Sequence, residues 1–200
     1  MALSKIDAVN FLTGTIPSGN IATSSLAAAA TGKVLQVVGN RLDDAMDATG
    51  TDGTEYDIQG GAGVFETAMT IASGSKVYVD YMFHLGGDSE NATVGLFMKA
   101  KVDSGSYADV AIGDANGSRR RMFSTSGRSM TEGGGGYWLQ NVSGNVLFTP
   151  SGSGSRVVTV KFTIQNRASG NRRVYNNYSH ANDNDSVVTV STCTLMEVGS

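Results

Sequence analysis

Residues 76–83 read KVYVDYMF. Val77, Val79, Tyr81 and Phe83 fall on one face of an extended chain, and Lys76, Tyr78, Asp80 and Met82 on the other. This alternation predicts a strand with one buried face. The same pattern recurs on either side of it. Thr93 to Val102 places Val94, Leu96, Met98, Ala100 and Val102 on one face. Val157 to Asn166 places Val158, Val160, Phe162 and Ile164 inward, with Thr159, Lys161, Thr163 and Gln165 outward. Val187 to Val198 carries apolar or small residues on both faces, which suits a strand covered on both sides. Val34-Leu35-Gln36-Val37-Val38 is a short apolar run that reads as a buried strand.

Shorter β segments are expected at Val64 to Ile71 and Tyr107 to Ile112. Tyr137 to Leu139 and Val146 to Phe148 would flank a turn at Asn141–Asn145. Glycine- and serine-rich breakers separate the runs: Gly60-Gly61, Ser73-Gly74-Ser75, Gly86-Gly87, Gly133 to Gly136, and Ser151 to Ser155. Residues 39–62 and 117–136 read as long surface loops. Many short strands with Gly/Ser turns, and almost no helical signal after Gly32, predict an all-β fold. The expected form is an antiparallel sandwich or jelly roll over residues 33–200.

Residues 1–32 are different. Ile6, Phe11, Leu12, Ile16, Ile21 and Leu26 recur about every five positions, a spacing that suits neither a helix nor a strand. Two readings fit. One is a flexible leader. The other is an anchoring arm that sets one apolar residue at a time onto a partner's surface. In the second reading Ile6, Phe11, Leu12, Ile16 and Ile21 are the anchors.

Composition narrows the function. The chain has 200 residues, enough for one domain with a short appendage. Glycine numbers 26, charged residues are 16%, and the formal net charge is −3. There is thus no basic field to attract nucleic acid. No apolar run is long enough to cross a bilayer as a helix, and the first residues lack the pattern of a secretory leader. With one cysteine, Cys193, and two histidines, His84 and His180, neither a disulfide framework nor a zinc site is expected. No cofactor is expected either. Asp183 and Asp185, in an Asn/Asp-rich stretch, could offer oxygen ligands to calcium, but an ordinary Asx-rich turn explains them as well.

Catalytic patterns are sparse. His84 has no nucleophile elbow to serve. Asp80, Glu90, Asp103, Asp109, Asp114 and Glu132 could contribute to glycan hydrolysis, which needs two carboxylates about 5–9.5 Å apart. No spacing singles out a pair. The expectation is therefore a protein that is not an enzyme. Arg119, Arg120 and Arg121 form the main basic cluster and could contact an anionic ligand or a subunit interface. Tyr137 and Trp138 could stack on a sugar or sit in an interface.

Several segments are together similar to one family. The opening MALSKIDAVNFLTGTIPSGNIATSSL resembles the N-termini of tail-fibre-like and other virion surface proteins of marine phages. Thr31 to Val38 resembles the first strand of their β domain, and Ser73 to Val79 a following Lys-led strand. Ile112 to Arg119 resembles their Gly-Asp…Ser-Arg loop, and Val190 to Val198 their closing strand. The glycine-rich stretch around 127–136 departs from the family pattern. The resemblance implies a trimeric jelly-roll head, similar to the complement or tumour-necrosis-factor type. It implies a structural role on a virion assembled in the bacterial cytoplasm, as tail fibre or capsid decoration. Expected partners are copies of the chain itself and other virion proteins of the capsid or tail, with no nucleic acid and no membrane insertion. The other reading is a carbohydrate-binding module that recognises a host surface glycan.

Overall fold

A computed structural model describes residues 33–88, 93–118, 121–128, 139–167, 170–178 and 188–199. The strands, in chain order, are β1 (Val34–Leu42), β2 (Met46–Gly50), β3 (Glu55–Asp57), β4 (Gln59–Gly60), β5 (Gly63–Val64), β6 (Glu66–Ile71) and β7 (Lys76–Gly87). There follow β8 (Thr93–Val102), β9 (Ala108–Asp109), β10 (Ser124–Arg128), β11 (Gln140–Phe148), β12 (Arg156–Asn166), β13 (Arg172–Asn176) and β14 (Ser191–Val198). The described residues are all-β and their sheets are antiparallel.

The first sheet is built on β7. Leu85 pairs with Gln140 of β11 on one edge and with Asn176 of β13 on the other. Met82 pairs with Ser143 of β11 and with Thr192 of β14. β14 and β13 therefore follow one another along the same edge of β7. β1 extends the sheet beyond β14, and β2 extends it beyond β13. The second sheet repeats this plan on β12. β8 runs along one edge, while β6 and β3 share the other in series. β9 and β10 likewise share the far edge of β8.

Once the short strands β2, β3, β4, β5, β9 and β13 are set aside, the sheets are β1-β14-β7-β11 and β6-β12-β8-β10. First pairs with last, and second with last but one. This is the double Greek key of a jelly roll, so the sandwich expected from the strand pattern is the observed fold.

The periodic strands bury the predicted faces. Val77, Val79, Phe83 and Leu85 of β7 are fully buried, as are Val158, Phe162 and Ile164 of β12. Between the sheets the rings of Phe83 and Phe162 lie 4.7 Å apart. Tyr81 packs on Phe123 at 5.0 Å and on Phe162 at 5.5 Å. Burying an aromatic or aliphatic side chain of this size contributes roughly 1.5–3 kcal/mol.

Polar side chains hold the places where the sheets separate. On the β1–β6 side, the amide of Gln36 donates to the carbonyl of Thr70 and, at 2.7 Å, to Glu197. The amide of Asn40 donates to the Glu66 carbonyl at 2.8 Å. Glu197, buried on β14, also accepts the Ala72 N–H at 2.7 Å. At the fork between β14 and β13, the Asn177 N–H donates to the His84 carbonyl at 3.0 Å. Arg156 is buried and donates to the carbonyls of Gly154 and Pro150 at 2.9 and 3.1 Å. It thereby holds the predicted turn at Ser151–Ser155, where Gly152 and Gly154 both have positive φ.

Several sequence expectations need correction: among them, Gly86-Gly87 does not break the chain but ends β7, paired with Tyr175 and Val174. β1 is not buried: Val34, Leu35 and Val37 are 48%, 47% and 57% exposed, because β1 is the end strand of its sheet. Neither 39–62 nor 117–136 is one loop, since β2 and β3 pair with β13 and β12, and β10 pairs with β8. β11 runs unbroken through Asn141–Asn145, in register with β7 along its whole length, so no turn interrupts it. The last strand starts at Ser191, and Val188 before it is 71% exposed.

Candidate functional site

The outer face of the second sheet carries charge. Lys99 sits between Glu55 at 3.0 Å and Asp109 at 2.7 Å. Lys161 meets Asp57 at 2.7 Å. The ring of Tyr107 lies beneath the ammonium groups of Lys101 and Lys161, at 4.6 and 4.4 Å. Partial burial of Lys99 opposes its charge, but hydrogen bonds and attraction from Asp109 and Glu55 outweigh it and raise its pKa. These alternating charges tie β3 and β9 to β8, and β3 to β12, a structural role.

The outer face of the first sheet is different. Leu147 of β11 pairs with Tyr78 of β7, Tyr78 pairs with Met196 of β14, and Met196 pairs with Val37 of β1. Cross-strand partners share a face, so these four form one apolar row across the sheet. Leu147 is 50% exposed and Val37 57% exposed, with Tyr78 and Met196 half-buried between them. One row along lie Lys76, Val198 and Val34. On the other side lie Asn145, Asp80, Thr194 and Gly39. Lys76 and Asp80 are exposed and flank Tyr78 on its own strand.

Of the residues singled out from sequence, Arg121 is described. It is exposed, and its Nε donates to the Gly113 carbonyl at 2.5 Å, pinning the chain that leads into β10. Arg119, Arg120, Tyr137 and Trp138 lie outside the described residues, as do Ile6, Phe11, Leu12, Ile16 and Ile21, and also Asp183, Asp185 and His180. His84 is half-buried on the outer face of β7, with Nδ1 3.1 Å from the Val190 carbonyl. Cys193 is buried, and burial pushes its thiol pKa up to about 12.

The carboxylates considered for hydrolysis occupy separate places. Asp109 holds Lys99, and Asp103 accepts the Val157 N–H at 2.8 Å. Asp80 stands on the other sheet, while Glu90 and Glu132 lie outside the described residues. Among the described residues, no three His, Cys, Asp or Glu side chains converge as a metal site.

Sequence reasoning passed over the apolar row. Its signal was present in Val146-Leu147-Phe148 and in Val37-Val38. Consecutive apolar residues in a strand must point to both faces, so one of each group has to face outward.

No protein-family profile and no curated protein matches the chain. Among solved structures, one described as the structure of infectious bursal disease virus Gt strain is similar over 83% of this chain, at 9% identity and a TM-score of 0.29. The match spans 43% of that virus chain, less than half of its length.

Proposed function

We propose that this chain is a non-enzymatic structural protein of a bacteriophage virion: a homotrimeric surface knob or fibre head, anchored to the particle through residues 1–32. The observation that carries the reading is the strand order β1-β14-β7-β11 over β6-β12-β8-β10, an architecture that recurs in viral capsid domains. The sequence segments that resemble marine phage surface proteins support it. So does the use of Gln36, Asn40, Arg156 and Asn177, which close seams, a fork and a turn. The anchors Ile6, Phe11, Leu12, Ile16 and Ile21 would dock on capsid or tail proteins, and assembly would take place in the bacterial cytoplasm.

The deciding experiment is a map of the intact particle with the protein located in it. Density at threefold positions on the capsid selects a decoration protein, and a ring around the tail selects a fibre. Absence of the chain from purified particles refutes the proposal.

Jelly rolls also serve as lectin domains, which keeps a carbohydrate-binding host-receptor role as the second reading. Arg121, and with it Arg119, Arg120, Tyr137 and Trp138, would then contact the glycan. Binding on a glycan array, lost in the Arg121→Ala variant, would favour it.

A further inference from the structure

We infer that the outer face of the first sheet, along the row Leu147–Tyr78–Met196–Val37, is the surface through which copies of this chain meet. The inference rests on the proposal that the chain assembles with itself, and it assigns the place where that happens. A contiguous apolar patch open to water marks a protein contact. Here the row is continuous through four paired strands and is most exposed at its two ends, Val37 on β1 and Leu147 on β11.

The flanking charges choose the occupant. Lys76 and Asp80 stand two residues to either side of Tyr78, each about 7 Å along the strand. On β7 the apolar centre is thus flanked by one base and one acid, whereas Arg41 on the same face is already paired with Asp43, and the row complements itself. A second copy crossing the row sets its aspartate against this lysine, with the apolar side chains between. On the second sheet Lys99 and Lys161 are already matched by Glu55, Asp109 and Asp57, and Lys101 lies over the Tyr107 ring. Around a rotation axis the same pairing repeats, each copy offering Lys76 to the Asp80 of the next, so the contact suits a closed ring.

The test uses the full chain in sedimentation, with circular dichroism to confirm the fold. The wild type should be an oligomer at micromolar concentration. Val37→Asp and Leu147→Asp should each yield folded monomers, while Val157→Asp, at an exposed position on β12, should leave the mass unchanged. Lys76→Asp and Asp80→Lys should each weaken association roughly tenfold, and the double variant K76D/D80K should restore it. If Val37→Asp and Leu147→Asp remain oligomeric, the surface is wrong although self-assembly stands. If the wild type is a monomer, self-assembly and this surface fall together. Single charge variants that dissociate without rescue in the double variant would overturn the pairing of Lys76 with Asp80 between copies.

Discussion

The Ser191 hydroxyl donates to the Asn177 side-chain carbonyl across 2.5 Å, with both residues fully buried. The same Asn177 donates its amide to the carbonyls of Leu42 and Asp44, at 2.9 and 3.1 Å. Its backbone is left-handed, with φ of 65°. One side chain thus joins the end of β1, the start of β14 and the exit of β13, at the point where β14 and β13 part along β7.

Asn177→Ala removes both donors, leaves the Leu42 and Asp44 carbonyls without them, and forces a Cβ residue with no compensating side chain into a left-handed conformation. Each net hydrogen bond is worth about 1 kcal/mol, and an orphaned buried polar group costs about 1–3 kcal/mol more. A loss of roughly 3–5 kcal/mol is expected in urea unfolding. Asn177→Gly loses the same bonds but not the backbone preference, so it should be more stable than the alanine variant by about 1 kcal/mol. Equal stability of the two variants would contradict this account.

Phe83 and Phe162 join the sheets at the centre of the core. Either change to Ala should cost about 3–5 kcal/mol. A double-mutant cycle should return a coupling of about 0.5–1.5 kcal/mol, since their rings touch. Additive losses would place the two rings out of contact.

Glu197 predicts an acid-side transition. Burial works to raise its carboxyl pKa, but hydrogen bonds from Ser75, the Ala72 N–H and Gln36 outweigh burial and bring it below the ordinary 4.5. A carboxylate whose folded pKa is depressed contributes stability that is present above its unfolded value. That contribution disappears as pH falls through the folded pKa. Wild-type stability should therefore decline below about pH 4.5 more steeply than that of Glu197→Gln, which should be less stable at neutral pH. Parallel pH profiles for the two proteins would remove Glu197 from this role.

Cys193 predicts a silent thiol. Its pKa is pushed up to about 12 and it is buried, so almost no thiolate is present at pH 8 and reagents cannot reach it. Labelling by a disulfide reagent should be negligible in the folded protein and fast in denaturant. Rapid labelling under native conditions would mean that β14 opens readily.

The alternation in KVYVDYMF and in Val157–Asn166 was readable because it is local: successive side chains of a strand point to opposite faces whatever the strand pairs with. The all-β class and the inward sets of β7, β8 and β12 follow from that alone. Neighbours along the chain do not say which strand ends a sheet. Val34–Val38 is apolar, and only its place beyond β14 shows that Val34, Leu35 and Val37 face water. The segment 39–62 is polar, yet β2 and β3 form because backbone groups of β13 and β12 are there to pair with them, and that pairing does not depend on side-chain polarity. The candidate surface was legible only in part. Parity required one of Val37 and Val38, and one side of Val146-Leu147-Phe148, to point outward, but which one, and the alignment with Tyr78 and Met196, depends on the register of four strands drawn from distant parts of the chain. The bond between Asn177 and Ser191, and its link to Leu42, is of the same kind. Strand periodicity is a property of the sequence, whereas register, edges and forks arise only when remote segments close their hydrogen bonds on one another.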